Sequence, residues 1–219
     1  MALKDGGASE RVRLRRKRER GSHERETIDA ILDEGLVAHV GIVDDGQPLV
    51  LPTLHARSGD VVYLHGSRAS RTMRVAASGA PICLTVSLID GLVLARSAMH
   101  HSANYRSAVL IGRARPVEDP EEVLAGFEAI VERLVPGRWR DVRPPTEKEL
   151  KATALVALPI EEASAKARTG MPVDDDDDYA LPAWAGVIPL SLNVGEPQPD
   201  PLLAPEVEVP GYVSGWPRR

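Results

Sequence analysis

Hydrophobic and polar positions recur with two periods along this chain, and the changes of period mark out its elements. Ile28, Ile31 and Leu32 fall at helical spacing between Ser22, placed to cap, and Gly35, placed to stop the turn. The period then drops to two. Leu36–Val43 and Pro48–Arg57 read as strands around an Asp45-Gly46 hairpin, and Ser58-Gly59-Asp60 turns the chain into Val61–His65. A helix is expected within Gly66–Gly79, with Ala69, Met73 and Ala76 on one side. Ile82, Leu84, Val86 and Leu88 alternate with Cys83, Thr85 and Ser87 along the next strand, and Asp90-Gly91 reads as a second hairpin into Leu92–Ala98. Ala108–Val117 is a further strand. Asp119 and Pro120 open a helix striped by Val123, Phe127, Ile130, Val131 and Leu134, which Pro136-Gly137 ends. A short helix from Thr146, a strand Thr153–Ile160, a polar stretch over 161–180 and a last strand Trp184–Leu192 follow.

Short strands joined by close turns predict a mainly antiparallel, barrel-like sheet of about six to eight strands with flanking helices, a mainly β fold with some α. The boundaries are a basic arm over 1–21, one folded domain over 22–195, and a Pro-rich tail over 196–219. Glu10 to Arg20 holds seven basic residues against two acids and reads as a flexible or surface-lying segment. It lacks the interleaved aromatics of a nucleic-acid tail. The acids at 174–178 read as an exposed, extended loop whose spacing is not that of a calcium loop.

Composition narrows the chemistry. A net charge of −5 gives no reason to expect nucleic acid or an anionic membrane as partner. The single Cys83 excludes an internal disulfide and a multi-cysteine zinc site. No apolar stretch is long enough to span a bilayer, and no signal core follows the first basic residues, so a reducing, cytoplasmic setting is the default expectation. With one Phe in the chain, the core must come from Val, Leu, Ile and Ala, and a second copy of the chain could complete such an aliphatic surface.

Polar residues gather in four places. Pro52-Thr53-Leu54-His55 lies inside the second strand. His65-Gly66-Ser67-Arg68-Ala69-Ser70-Arg71 joins a strand end to a helix start, where unpaired amides, two hydroxyls and two guanidiniums suit a phosphate or equally serve as plain capping. It is not a Walker loop, and no Gly-x-Gly-x-x-Gly follows a strand. Arg96 to Ser107 reads as a polar loop between strands, in which adjacent His100 and His101 make a poor metal pair. Lys166, Arg168 and Trp184 come late in the chain. No Gly-x-Ser-x-Gly elbow or His-Glu-x-x-His motif argues for hydrolysis, and no catalytic residue stands out.

The order of these motifs, with His65-Gly66-Ser67-x-x-Ser70-Arg71, Asp90-Gly91-Leu92-Val93-Leu94-Ala95-Arg96-Ser97 and His100-His101-Ser102-x-Asn104-Tyr105-Arg106-Ser107, resembles the FMN-binding split-barrel superfamily. Within it the likeness is to pyridoxamine 5′-phosphate oxidase-like flavin-binding proteins, the nitroimidazole-resistance type included, and it extends over roughly 10–195. The resemblance implies a split β-barrel and a homodimer with FMN at the subunit interface. Ser67, Ser70 and Arg71 would hold the FMN phosphate, with His65 beside it, and Pro52, Thr53, Leu54 and His55 would run along the flavin ring. Arg96 and Ser97 would approach from the partner, Asn104, Tyr105 and Ser107 would line the ring or substrate cavity, and Trp184 would cover the flavin with Lys166 or Arg168 near it. The basic set that grips a vitamin B6 phosphate has no counterpart in this sequence. The resemblance therefore implies an FMN-dependent oxidoreductase of another small molecule. Its alternatives are a flavin-binding module without turnover, and a split barrel that takes haem, through His100 and His101, or deazaflavin.

Overall fold

The computed structural model describes residues 10–216. In chain order its elements begin with β1 (Gly21–Ser22), α1 (Arg25–Glu34), β2 (Val37–Asp44), β3 (Gln47–Leu54), β4 (Ala56–Ser58), β5 (Val61–Ser67) and α2 (Arg71–Ala77). They continue with β6 (Pro81–Leu94), β7 (Ser102–Arg113), β8 (Arg115–Pro116), α3 (Pro120–Leu134), α4 (Glu147–Ala152), β9 (Thr153–Pro159), β10 (Glu162–Arg168), β11 (Gly186–Pro189) and α5 (Gly211–Ser214). The strands form two antiparallel sheets. The larger runs β1-β10-β7-β6-β2-β3 with β11 added to β6, and the smaller runs β4-β5-β9-β8. One face of each sheet, with α1 and α2, builds the main core around Ile28, Leu32, Val40, Leu64, Leu84, Val86, Leu110 and Leu158. The other face of the small sheet packs Tyr63, Leu155 and Ala157 against Phe127 and Ile130 of α3. This is the split-barrel arrangement, with α3 on its flank.

Several boundaries differ from those expected. Asp45 and Gly46 do form the tight hairpin, with φ of 49° and 74°. Asp90-Gly91 does not turn: β6 runs straight through it, with a bulge in its register to β7. The glycine there answers to a close approach instead, because a Cβ on Gly91 would stand 3.0 Å from the Ile188 carbonyl of β11. β7 starts at Ser102, so most of the expected polar loop is strand, and only residues 98–100 form a short helical turn. The expected Pro48–Arg57 strand is two, because His55 turns into the core and the chain passes from the large sheet to the small one.

The polar stretch after Ile160 contains β10, whose Ala163, Ser164 and Ala165 are buried between β7 and β1. The acidic run is not all solvated either, since the Asp174 side chain is wholly buried. Only part of the basic arm lies within the described residues. There it lies on the surface with Val12 buried and Arg11 paired to Glu162. The Pro-rich tail ends in α5, where Tyr212 bonds Asp141 and the Trp216 indole donates to the Leu134 carbonyl. Among the described residues no helix is long and apolar enough to cross a membrane.

Candidate functional site

The loop from β5 to α2 gathers donors and satisfies few of them. The Ser67 carbonyl accepts from the Ser70 amide at 2.9 Å, folding the chain back on itself. Ser67 Oγ accepts from the Ala69 amide at 3.2 Å and Ser70 Oγ from the Met73 amide at 3.2 Å. Both hydroxyls therefore act as acceptors, and each keeps its own proton to donate. The amides of Arg71 and Thr72 open α2 and have no intrahelical acceptor. Arg71 is half exposed, with only Nε near Asp44, at 3.5 Å. The Arg68 amide bonds the Ala152 carbonyl, while its guanidinium has no hydrogen bond or ion pair among the described residues. Two hydroxyls, two amides and two guanidiniums with spare donors fit a phosphate ester.

His65 stands just behind this loop. Its Nδ1 is buried without a partner, its ring meets Phe127 edge-on at 6.2 Å, and burial pulls its pKa down, favouring the neutral form. A cleft of about 600 Å³ opens beside Arg68, between α3, α4 and β9. On β3, Pro52 and Leu54 are exposed and the Thr53 hydroxyl donates to the Leu54 carbonyl at 3.3 Å. His55 follows with its side chain turned inward: it is 2% exposed and its Nε2–H donates to the Leu32 carbonyl at 3.0 Å, so its ring faces α1.

A second group of expected site residues lies on β7, β10 and the segments around them. The Asp174 carboxylate accepts from the amides of Arg96 (2.9 Å) and Ser97 (3.3 Å) and from Arg96 Nη1 (3.1 Å). Burial opposes its charge, but these bonds hold its pKa below the usual carboxylate range. Tyr179 lies under the Arg96 guanidinium at 5.0 Å. Arg168 and Asn104 are buried against each other, and both donate to the Gly170 carbonyl. Asn104 and Arg168 thus spend side-chain donors inside the chain, whereas Arg96 keeps a buried Nε without a partner. Asp174 and Tyr179, which hold Arg96 in place, carry no signal in the sequence beyond a run of acids.

Ser107 Oγ donates to the Lys166 carbonyl, and Lys166 itself has no side-chain partner among the described residues. Trp184 lies on Gly186, where a Cβ would be 2.9 Å from the indole, and is 67% exposed. His100 Nδ1 is buried 3.8 Å from Asp174 Oδ1, and His101 Nδ1 lies 3.0 Å from the Ser97 carbonyl. Cross-strand register places Pro52, Leu54, Tyr105, Ser107 and Lys166 on one face of the large sheet, its outer one.

The structure therefore brings the expected residues into two groups. One comprises the β3 end and the 65–71 loop; the other comprises β7, β10 and the Asp174-bound turn. Strands β3 and β7 are three spacings apart, about 14 Å.

Comparison with known proteins places this geometry. The family model described as pyridoxamine 5′-phosphate oxidase matches residues 24–167. The structure of the flavocytochrome Anf3 from Azotobacter vinelandii is 45% identical over 97% of this chain and 99% of that one, with a TM-score of 0.90. The FAD and haem binding protein from Mycobacterium smegmatis is 38% identical over 90% of this chain and 96% of that one, with a TM-score of 0.85. A 5-nitroimidazole antibiotic resistance protein from Bacteroides thetaiotaomicron, 22% identical over 67% of this chain and 85% of that one (TM-score 0.56), shares the fold. Comparison with the curated proteins finds no match. The chain belongs to the pyridoxamine 5′-phosphate oxidase-like family of flavin-binding split-barrel proteins.

Proposed function

We propose that this protein is a flavin-dependent oxidoreductase of a small molecule, working as a homodimer. The spare donors of the 65–71 loop carry the reading: Ser67, Ser70, Arg71 and the first amides of α2 would take the flavin phosphate. Pro52, Thr53 and Leu54 would border the ring, and a second copy would bring Tyr105, Ser107, Lys166 and Trp184 across it. The flavin supplies the redox chemistry; the protein's part is to hold the ring, shield it from water and orient the substrate.

The purified protein should be yellow and release FMN or a larger flavin on denaturation; a colourless protein that takes up no added flavin overturns the reading. Arg71→Ala should weaken flavin binding by about 1.5–3 kcal/mol, the range for a hydrogen bond to a charged group. Unchanged affinity in a flavin titration would remove Arg71 from the phosphate site.

A second cofactor is favoured by His100. Its buried, unpartnered Nδ1 lies 3.8 Å from the Asp174 carboxylate, and a small shift of the ring would give the His–carboxylate hydrogen bond that orients an imidazole toward iron. Met99 and Val173, next to the pair, are exposed apolar groups suited to a porphyrin. The 45% identical relative is described as a flavocytochrome and the 38% identical one as binding haem. Haem added to the protein should give a Soret band that His100→Ala abolishes while flavin stays bound. A spectrum unchanged by haem rejects this cofactor.

A further inference from the structure

The described part of the basic arm is an ordered surface whose charges the chain itself leaves partly unused. Arg11 pairs with Glu162, and Arg13 and Arg15 share Glu10. Arg16, Lys17 and Arg18 are exposed, and neither they nor Arg20 make a side-chain hydrogen bond or ion pair among the described residues. Lys17, with a left-handed φ of 53°, leads into a short helical turn over Arg18–Arg20, which gathers these cations in one place. We propose that this turn docks an acidic electron-carrier protein that supplies reducing equivalents to the flavin. The donor role rests on the flavin reading above.

Position is the first argument. β1 follows the turn directly and pairs with β10 in the register Gly21 to Lys166, while β10 pairs Lys166 with Ser107 of β7. β1 is therefore one strand spacing, about 5 Å, from Lys166 and two from Ser107, the residues given above to the flavin. It is also the edge of the large sheet, so the turn would stay open when a second copy covers the outer face. The second argument is what the arm lacks. Val12 is 5% exposed and Leu14 packs against Gly21, so no apolar side chain is left to enter a bilayer. No aromatic residue is present on which a base could stack. A compact cluster of unpaired cations on a chain of net charge −5 steers an acidic protein into one orientation, and redox encounters use small surfaces of this kind. Each docked carrier gives up one electron and is oxidised; two of them, with two protons from water, reduce one flavin.

The test uses an acidic plant-type ferredoxin as probe, oxidised for binding and reduced for electron transfer. The flavin-loaded protein should bind it at low salt, lose affinity steeply as salt rises, and have its flavin band bleached by it without oxygen. Arg16→Glu with Arg18→Glu spares Lys17 and its turn. This pair should weaken binding at least about tenfold in titration calorimetry and slow bleaching by ferredoxin, while flavin affinity and bleaching by dithionite stay unchanged. Arg140→Glu with Lys148→Glu, exposed after α3 and on α4, makes the same change of net charge and should leave ferredoxin binding intact. A flavin-loaded protein that does not bind ferredoxin, or whose binding the arm reversals leave unchanged, overturns the docking surface and leaves the flavin reading standing. Arm-dependent binding to phosphatidylglycerol vesicles or duplex DNA that is tighter than to ferredoxin gives the turn to a membrane or a nucleic acid and overturns the proposal. A protein that takes up no flavin overturns the flavin reading, and the donor with it.

Discussion

His55 ends an exposed strand yet is almost wholly buried, with one ring nitrogen donating to the Leu32 carbonyl and the other facing no donor. Burial, only partly opposed by that bond, lowers its pKa from 6.5. The unfolded chain therefore takes up a proton at a pH where the folded chain does not. Stability from this group is fully present above about pH 6.5 and is lost as the pH falls below it. His65 is shifted in the same direction by burial alone. Urea midpoints should accordingly drop between about pH 7.5 and pH 5.5. His55→Gln keeps a donor for Leu32 and cannot titrate, so it should flatten that slope. A wild-type midpoint constant across the range would show that neither histidine is held neutral.

At the scale of elements, glycines in the same sequence context serve different ends. Gly35 stops α1 as its position suggests, but with φ of −70° it needs none of a glycine's freedom. It is a glycine because a Cβ would stand 2.2 Å from Cγ1 of Val86, a stiff side chain buried in the middle of β6. Gly35→Ala should destabilise the protein by about 1–3 kcal/mol in denaturant titration, the cost of overpacking a core. A loss within error would mean that α1 has room to move. Such contacts link residues far apart in sequence, and this limits what the sequence reveals.

The β2–β3 hairpin was legible because Asp45-Gly46 supplies positive φ locally, and α3 because Asp119 caps it beside Pro120. Asp90-Gly91 has the same dipeptide as Asp45-Gly46, but pairing with β7 and β11 on its two sides carries the strand through. β10 leaves no clear pattern in the sequence because Ala and Ser give little apolar contrast, although β7 and β1 bury them. The 65–71 loop was legible for the same reason as the hairpin: its donors are consecutive. Asp174 was not, since it acts on Arg96 from 78 residues away.

At the scale of the whole molecule, the outer face of the large sheet exposes a contiguous apolar patch, of the kind that marks an interaction surface. Val50 is 66% exposed, Val43 60% and Ile89 53%, and Val37 and Leu54 extend the patch. Edge strand β3 has no charged residue to guard it. Pro48 and Pro52 lack amide protons, so another strand adds poorly there, and in the proposed homodimer the cover would come from a face packing on a face. Pro52 and Leu54 of the first group share this outer face with the second group, about 14 Å away, and in the proposed homodimer a two-fold axis through the face would set one group of each copy against the other group of its partner. Dimerisation and flavin binding should then fail together. Val50→Asp places like charges about that axis and should halve the mass in sedimentation equilibrium while flavin affinity falls sharply. Since Val50 lies on an exposed strand, the fold should persist, and an unchanged thermal transition would show it. A wild-type chain that sediments as a monomer with its flavin bound would mean that one copy closes the site alone.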